Sequence, residues 1–79
     1  MAKRALQLTF VGEAIKQPIM YLAARKYDLI LNIGRAKITD SLGEVTMEFE
    51  GREEDIEKAV REMEKQGVKV QSIAGGTVV

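Results

Sequence analysis

Chemistry by side chains needs an acid, a base, a nucleophile or a metal ligand, and this sequence is poor in the residues that supply them. Histidine and cysteine are both missing from its 79 residues. That removes the commonest general base, thiolate nucleophiles, disulfides and thiolate metal sites together. Ser41 and Ser72 remain as hydroxyls, but neither has a base arranged beside it in any recognisable pattern. Carboxylates are plentiful, yet Glu44, Glu48 and Glu50 alternate along one stretch and Glu53, Glu54 and Asp55 stand where a helix would open. Solvated surface charge and the helix dipole account for both groups without a metal. Gly12 to Lys16 offers one glycine and one lysine but lacks the second glycine and the Ser/Thr of a phosphate loop. The expectation is a non-catalytic domain with no cofactor and no metal.

One polar residue stands out by its company. Asn32 lies among Leu29, Leu31 and Ile33, immediately before Gly34. Asparagine is disfavoured in strands, so its presence asks for a reason: either a ligand contact or satisfaction of edge backbone groups. The aliphatic pattern adds a second signal at the same place. Leu29, Leu31 and Ile33 are odd-numbered and Ile38 is even, so no strict alternation buries all four. The phase must slip between Ile33 and Ile38, and Gly34 is the residue that best tolerates a bulge.

The elements that would position these residues follow from periodicity. Leu6, Leu8 and Phe10 alternate with Gln7 and Thr9, which predicts a strand over Arg4 to Val11 with one face buried. Pro18 suits the first position of a helix carrying Ile19, Leu22 and Ala23 and ending near Tyr27 with Arg25 and Lys26 in its last turn. A strand from Leu29 to Ile38 is followed by turn chemistry in Thr39 to Gly43 and a third strand from Glu44 to Glu50. There Val45, Met47 and Phe49 point one way and the glutamates the other. A second helix opens at Glu53 with Ile56, Ala59, Val60 and Met63 as its buried stripe, and Gly67 stands where a left-handed cap would be. Val68, Val70 and Ile73 give a last strand, and residues 74–79 are a tail whose Thr77, Val78 and Val79 would suit a sheet edge. The core expected from this pattern is Leu8, Phe10, Leu22, Ile33, Val45, Met47, Ile56, Val60, Met63 and Val68.

This order, βαββαβ, predicts an α+β, ferredoxin-like sandwich: an antiparallel sheet in the order 4-1-3-2 with two helices on one face. Residues 1–79 form one domain, with its core over about 4–73. Hydrophobic residues make up 46% and charged residues 30%, a composition that folds. A chain this short buries only about 60% of the surface it exposes unfolded, and one sheet face has no helical cover, so a homodimer is expected. No apolar stretch approaches a membrane span and no signal-peptide core follows Met1, which points to a cytoplasmic domain with no membrane insertion.

Formal charge is zero, but residues 1–39 hold seven Lys/Arg against two Asp/Glu, and residues 40–79 hold five against ten. Such asymmetry can steer a partner, although solvated faces would look the same. Related folds bind RNA by stacking bases on exposed aromatics of the central strands. Here that face would carry Glu44, Glu48 and Glu50, which repel phosphate, while Phe10 and Phe49 are in phase with the core. Nucleic-acid binding is not expected.

Taken together, Leu6-Gln7-Leu8-Thr9-Phe10, Pro18, Leu22-Ala23, Asn32-Ile33, Ile38, Gly43, Gly51 and Gly67-Val68-Lys69-Val70 resemble a NIL domain over nearly the whole chain. The family is named for an Asn-Ile-Leu signature on its second strand, which reads Asn32-Ile33-Gly34 here. NIL domains are ACT-like in fold and occur at the C-terminus of the ATPase subunit of bacterial methionine importers, and in fusions with ferredoxins. The resemblance implies a regulatory domain that binds an amino acid, methionine first, near a dimer interface. It places Asn32 and, on the third strand, Val45 at the ligand; from the residues themselves, amide groups left free at the Gly34 irregularity would hold a carboxylate and Ile33 and Val45 would receive a thioether. A transporter or a ferredoxin-type electron-transfer protein is the implied partner. A docking module that binds no ligand is the alternative.

Overall fold

The computed structural model describes residues 1–73; the expectation for the tail at 74–79 lies outside them. Its elements are β1 (Ala2–Val11), a 3-10 turn (Gly12–Lys16), α1 (Ile19–Lys26), β2 (Ile30–Ile38), β3 (Leu42–Gly51), α2 (Glu53–Lys65) and β4 (Lys69–Ser72). The sheet order is β2-β3-β1-β4, and every pairing is antiparallel. Read from the β4 edge, this is the 4-1-3-2 ferredoxin-like arrangement.

Strand alternation divides the residues between two faces. Leu6, Leu8 and Phe10 of β1 and Val45, Met47 and Phe49 of β3 are buried under Ile19, Ala23 and Ala24 of α1 and Ile56, Ala59 and Met63 of α2. The other face has no helix on it. There β1 and β3 set Lys3 across from Glu50 and Thr9 across from Glu44, and Glu44 in turn faces Lys37 of β2. Opposite charges directly across a ladder attract, so this face tolerates water well. No side-chain polar atom among the described residues is buried without a hydrogen-bond partner.

Both helices end in the same device. After α2, Gly67 takes φ +90 while Val68 N–H donates to the Met63 carbonyl and Gly67 N–H to that of Glu64. After α1, Asp28 takes φ 55 while Leu29 N–H donates to the Ala24 carbonyl and Asp28 N–H to that of Arg25. Each pair of bonds is a Schellman motif, which satisfies two of the last free carbonyls and turns the chain back toward the sheet. Between the helices Lys26 donates to Glu62 at 3.2 Å, and the carboxylate raises the lysine above its usual pKa. Arg4 of β1 reaches Glu53 in the first turn of α2.

The bulge is where the aliphatic pattern puts it. Ile33 pairs with Met47, but the next pair is Arg35 with Thr46, so Gly34 is the extra residue. Leu31 and Ile33 before it and Ala36 and Ile38 after it therefore lie on the helix-bearing side of the sheet.

Several expectations need correction. Leu22 is 51% exposed and Ile33 54% exposed, so neither belongs to the core, and Val60 is only partly buried. Successive helix residues are about 100° apart, and the buried arc of α1 runs through Ile19, Ala23 and Ala24. Leu22 falls on the far side of Ala23 from Ala24, outside that arc. Ile33 is on the correct sheet face, but the cover over β2 reaches Leu31, which packs against the core, and stops before Ile33. Pro18 is the N-cap of α1, one residue before the helix begins. The 3-10 turn between β1 and α1 was not expected; it buries Ala14 and starts at Gly12, whose φ is +59. β3 is also longer than its alternation predicts, running from Leu42 to Gly51.

Candidate ligand site

Because α1 is only eight residues long, its cover of β2 stops short of Ile33 and Ile38, and the helix-side face of β2 is left partly bare. The gap is a cavity of about 150 Å³. Its floor is sheet: Phe10 of β1, Leu31, Ile33 and Ile38 of β2, and Gly43 and Val45 of β3. Its roof is Ile15 of the 3-10 turn and the segment Gln17 to Tyr21 that leads into α1. Gly43 contributes by having no side chain: a Cβ there would lie 3.5 Å from the Cβ of Phe10 and 3.7 Å from Cγ1 of Ile38.

The walls grade from dry to wet. Val45 and Phe10 are buried at the inner end, whereas Ile33, Ile38 and Tyr21 are each more than half exposed at the mouth. Ten of the lining residues carry apolar side chains or none, and the polar side chains are Gln17 and Tyr21. Neither makes a side-chain hydrogen bond within the described residues. A concave apolar cleft with a few polar groups at its rim is the usual make-up of a small-molecule pocket. The one titratable side chain in its lining is Tyr21, and no group of three or more His, Cys, Asp or Glu among the described residues could hold a metal ion.

The four residues expected at the site are split by the sheet. Ile33 and Val45 both line the cavity, one at its mouth and one at its inner end. Gly34 forms the bulge directly after Ile33, on the outer edge strand. Asn32 pairs with Glu48 and so faces the open side of the sheet, away from the cavity. The roof residues were missed. Gln17 and Tyr21 flank Pro18 in a segment whose sequence reads only as a helix start, and nothing in its spacing says that it bridges to β2.

Comparison with known proteins agrees with this architecture. The NIL domain matches residues 4–72. The chain belongs to the NIL domain family. It is 34% identical over 76 residues to the methionine import ATP-binding protein MetN of Halalkalibacterium halodurans and 30% identical over 74 residues to that of Bacillus subtilis. These alignments cover 91% and 89% of this chain but 22% of each relative, so the chain spans about a fifth of the length of these relatives. Among solved structures, the C-terminal domain of an ABC transporter ATP-binding protein from Enterococcus faecalis superposes with a TM-score of 0.80, covering 91% of this chain and 84% of that one at 24% identity. As a NIL domain the chain has the fold that places this cavity between α1 and β2. Among its described residues no helix is long and apolar enough to cross a membrane.

Proposed function

We propose that this NIL domain is a regulatory sensor, not an enzyme, that binds a small amino acid with an apolar side chain, methionine first. The observation that carries the reading is the cavity between α1 and β2, with Ile33 and Val45 in its wall. A thioether or branched side chain buried there gains about 1.5 to 3 kcal/mol from transfer alone. Methionine sulfur also packs well beside aromatic rings such as Phe10 and Tyr21. The polar head of the ligand stays at the mouth, against the outer edge of β2, where Gly34 breaks the strand. The exposed rim of Tyr21, Leu22, Ile33 and Ile38 is where a second chain meets the first, so that two domains act together. The likeness to methionine import ATP-binding proteins supports a place beside the ATP-hydrolysing part of an importer, on the cytoplasmic side of the membrane.

The same bare rim favours a second reading, a docking module for a metabolic or ferredoxin-type protein that binds no ligand. Thermal melting of the purified domain against the amino acids separates the two. Ligand at ten times its dissociation constant adds RT ln 11, about 1.4 kcal/mol, and each kcal/mol moves the midpoint of so small a domain by about 4 to 8 °C. Methionine is expected to raise the midpoint by several degrees. An unchanged midpoint with millimolar amino acids would discard the sensor and leave the docking module.

A further inference from the structure

Resting on the amino-acid reading above, we infer that Gly43 sets the length of ligand side chain that the cavity accepts, the ligand being an amino acid with an unbranched side chain whose far end lies over this glycine. A glycine inside a strand weakens it and so asks for a use: a left-handed turn, a bulge, a close approach of other protein atoms, or room for a ligand. The other glycines among the described residues have one of the first three. Gly12 and Gly67 stand at positive φ, Gly34 is the extra residue of the β2 bulge, and the Leu29 side chain fills the place of a side chain at Gly51. Gly43 has none of these uses. Its φ is outside the left-handed region, and its pairs with Phe10 of β1 and Ile38 of β2 continue both ladders without a shift. The nearest atoms to an added Cβ would be side-chain atoms of Phe10 and Ile38 at 3.5 to 3.9 Å, which is ordinary contact distance. The fold could therefore carry alanine here. Room for a ligand remains, and the position suits it. Gly43 is buried in the cavity floor, between Phe10 at the inner end and Ile38 at the mouth. The gap between those two side chains is one methyl group wide, which admits the end of a straight chain and excludes a forked one.

Three probes test this on the intact chain by calorimetry: L-norleucine, L-norvaline, which is one methylene shorter, and L-leucine, which has the carbon count of norleucine but a forked end. The unaltered chain is expected to bind norleucine about four-fold more tightly than norvaline, the worth of one buried methylene. It should bind leucine about ten-fold more weakly than norleucine, because the fork overfills the gap. Gly43→Ala puts a methyl where the chain end lies. It should weaken norleucine about ten-fold or more and norvaline by less than about two-fold, so that their order reverses. Gly51→Ala, on the same strand but outside the cavity lining, should keep the parent's order. Without ligand, Gly43→Ala is expected to melt no lower than the parent and up to about 8 °C higher, since alanine is less costly than glycine to order in a strand. A lower midpoint would mean that the packing of Phe10 needs the glycine, and the inference would be wrong. It is equally wrong if Gly43→Ala keeps the parent's order or if leucine binds as tightly as norleucine, and in both cases the sensor reading stands. If the unaltered chain binds none of the three, the sensor reading itself fails and this inference fails with it.

Discussion

Ile33 stands directly across from Met47 in the β2–β3 ladder and on the same face of the sheet, yet Met47 is fully buried and Ile33 is 54% exposed. The edge of the helical layer falls between them, one strand's width apart. Burial alone should then separate their substitutions. Met47→Ala removes a side chain from the close-packed centre and is expected to cost about 2 to 5 kcal/mol. Ile33→Thr alters a rim residue and should stay within about 0.5 kcal/mol of the parent. Urea denaturation in an Ile38→Asp background, where no second chain covers the rim, measures both, and equal losses would mean that Ile33 is covered within the single chain.

That pair also marks how far the sequence could be read. Alternation correctly assigns Ile33 and Met47 to one face, and the parity break between Ile33 and Ile38 correctly locates the bulge at Gly34. What alternation cannot carry is the extent of the layer above it. Where the two helices come to lie over the sheet decides that Met47 is covered and Ile33 is not, and that depends on how they pack against each other. Gly67 announces its left-handed cap by residue type. Asp28 adopts the same conformation with no such signal, and the cavity roof at Gln17 and Tyr21 is visible only once α1 is placed over the sheet.

The two helix caps give a prediction of opposite signs. Gly67→Ala puts a Cβ on a residue at φ +90 and is expected to lower stability by about 1 kcal/mol. Asp28→Gly relieves a side chain held at φ 55 and should raise stability by about 0.5 to 1 kcal/mol. Melting curves that move in the same direction for both would show that the conformation at position 28 is not a cost the fold bears.

Gly51 and Leu29 are coupled by shape. The Leu29 side chain occupies the space that a Cβ at position 51 would take, and the clash is with the tip of Leu29. Because a terminal methyl can shift, Gly51→Ala should cost only about 1 kcal/mol, or about 4 to 8 °C in melting point. In a Leu29→Ala background the same substitution should cost almost nothing. A double-mutant cycle with no coupling between the two positions would contradict this contact.

A dimer built on the rim of the cavity should be sensitive to charge there. Light scattering of the eluted chain at high micromolar concentration is expected to give twice 8.8 kDa. Ile38→Asp places an acid on a residue that is 62% exposed in the single chain. It should leave the fold intact by circular dichroism and reduce the mass to 8.8 kDa. A mass of 8.8 kDa for the unaltered chain, or a dimer indifferent to Ile38→Asp, would place the interface elsewhere or nowhere.

Deleting Gly34 asks what the bulge is for. Without it, Leu31, Ile33, Ala36 and Ile38 fall into one unbroken alternation, and the pairs Ile33 with Met47 and Arg35 with Thr46 become consecutive steps of a regular ladder. Every other pairing in the hairpin, out to Ile30 with Glu50 and Ile38 with Gly43, keeps its partner. No apolar side chain changes face and no turn residue is lost. The deletion should therefore leave the melting point within a few degrees of the parent or raise it, since a bulge leaves one residue unpaired and glycine is the most costly residue to order. If stability does not require the bulge, its use lies at the mouth of the cavity, where it bends the edge strand beside Ile33. The expected result is a domain that melts normally but shows at least a ten-fold weaker response to methionine. A deletion variant that unfolds would make Gly34 a structural residue, and one that binds as the parent does would remove the edge of β2 from the site.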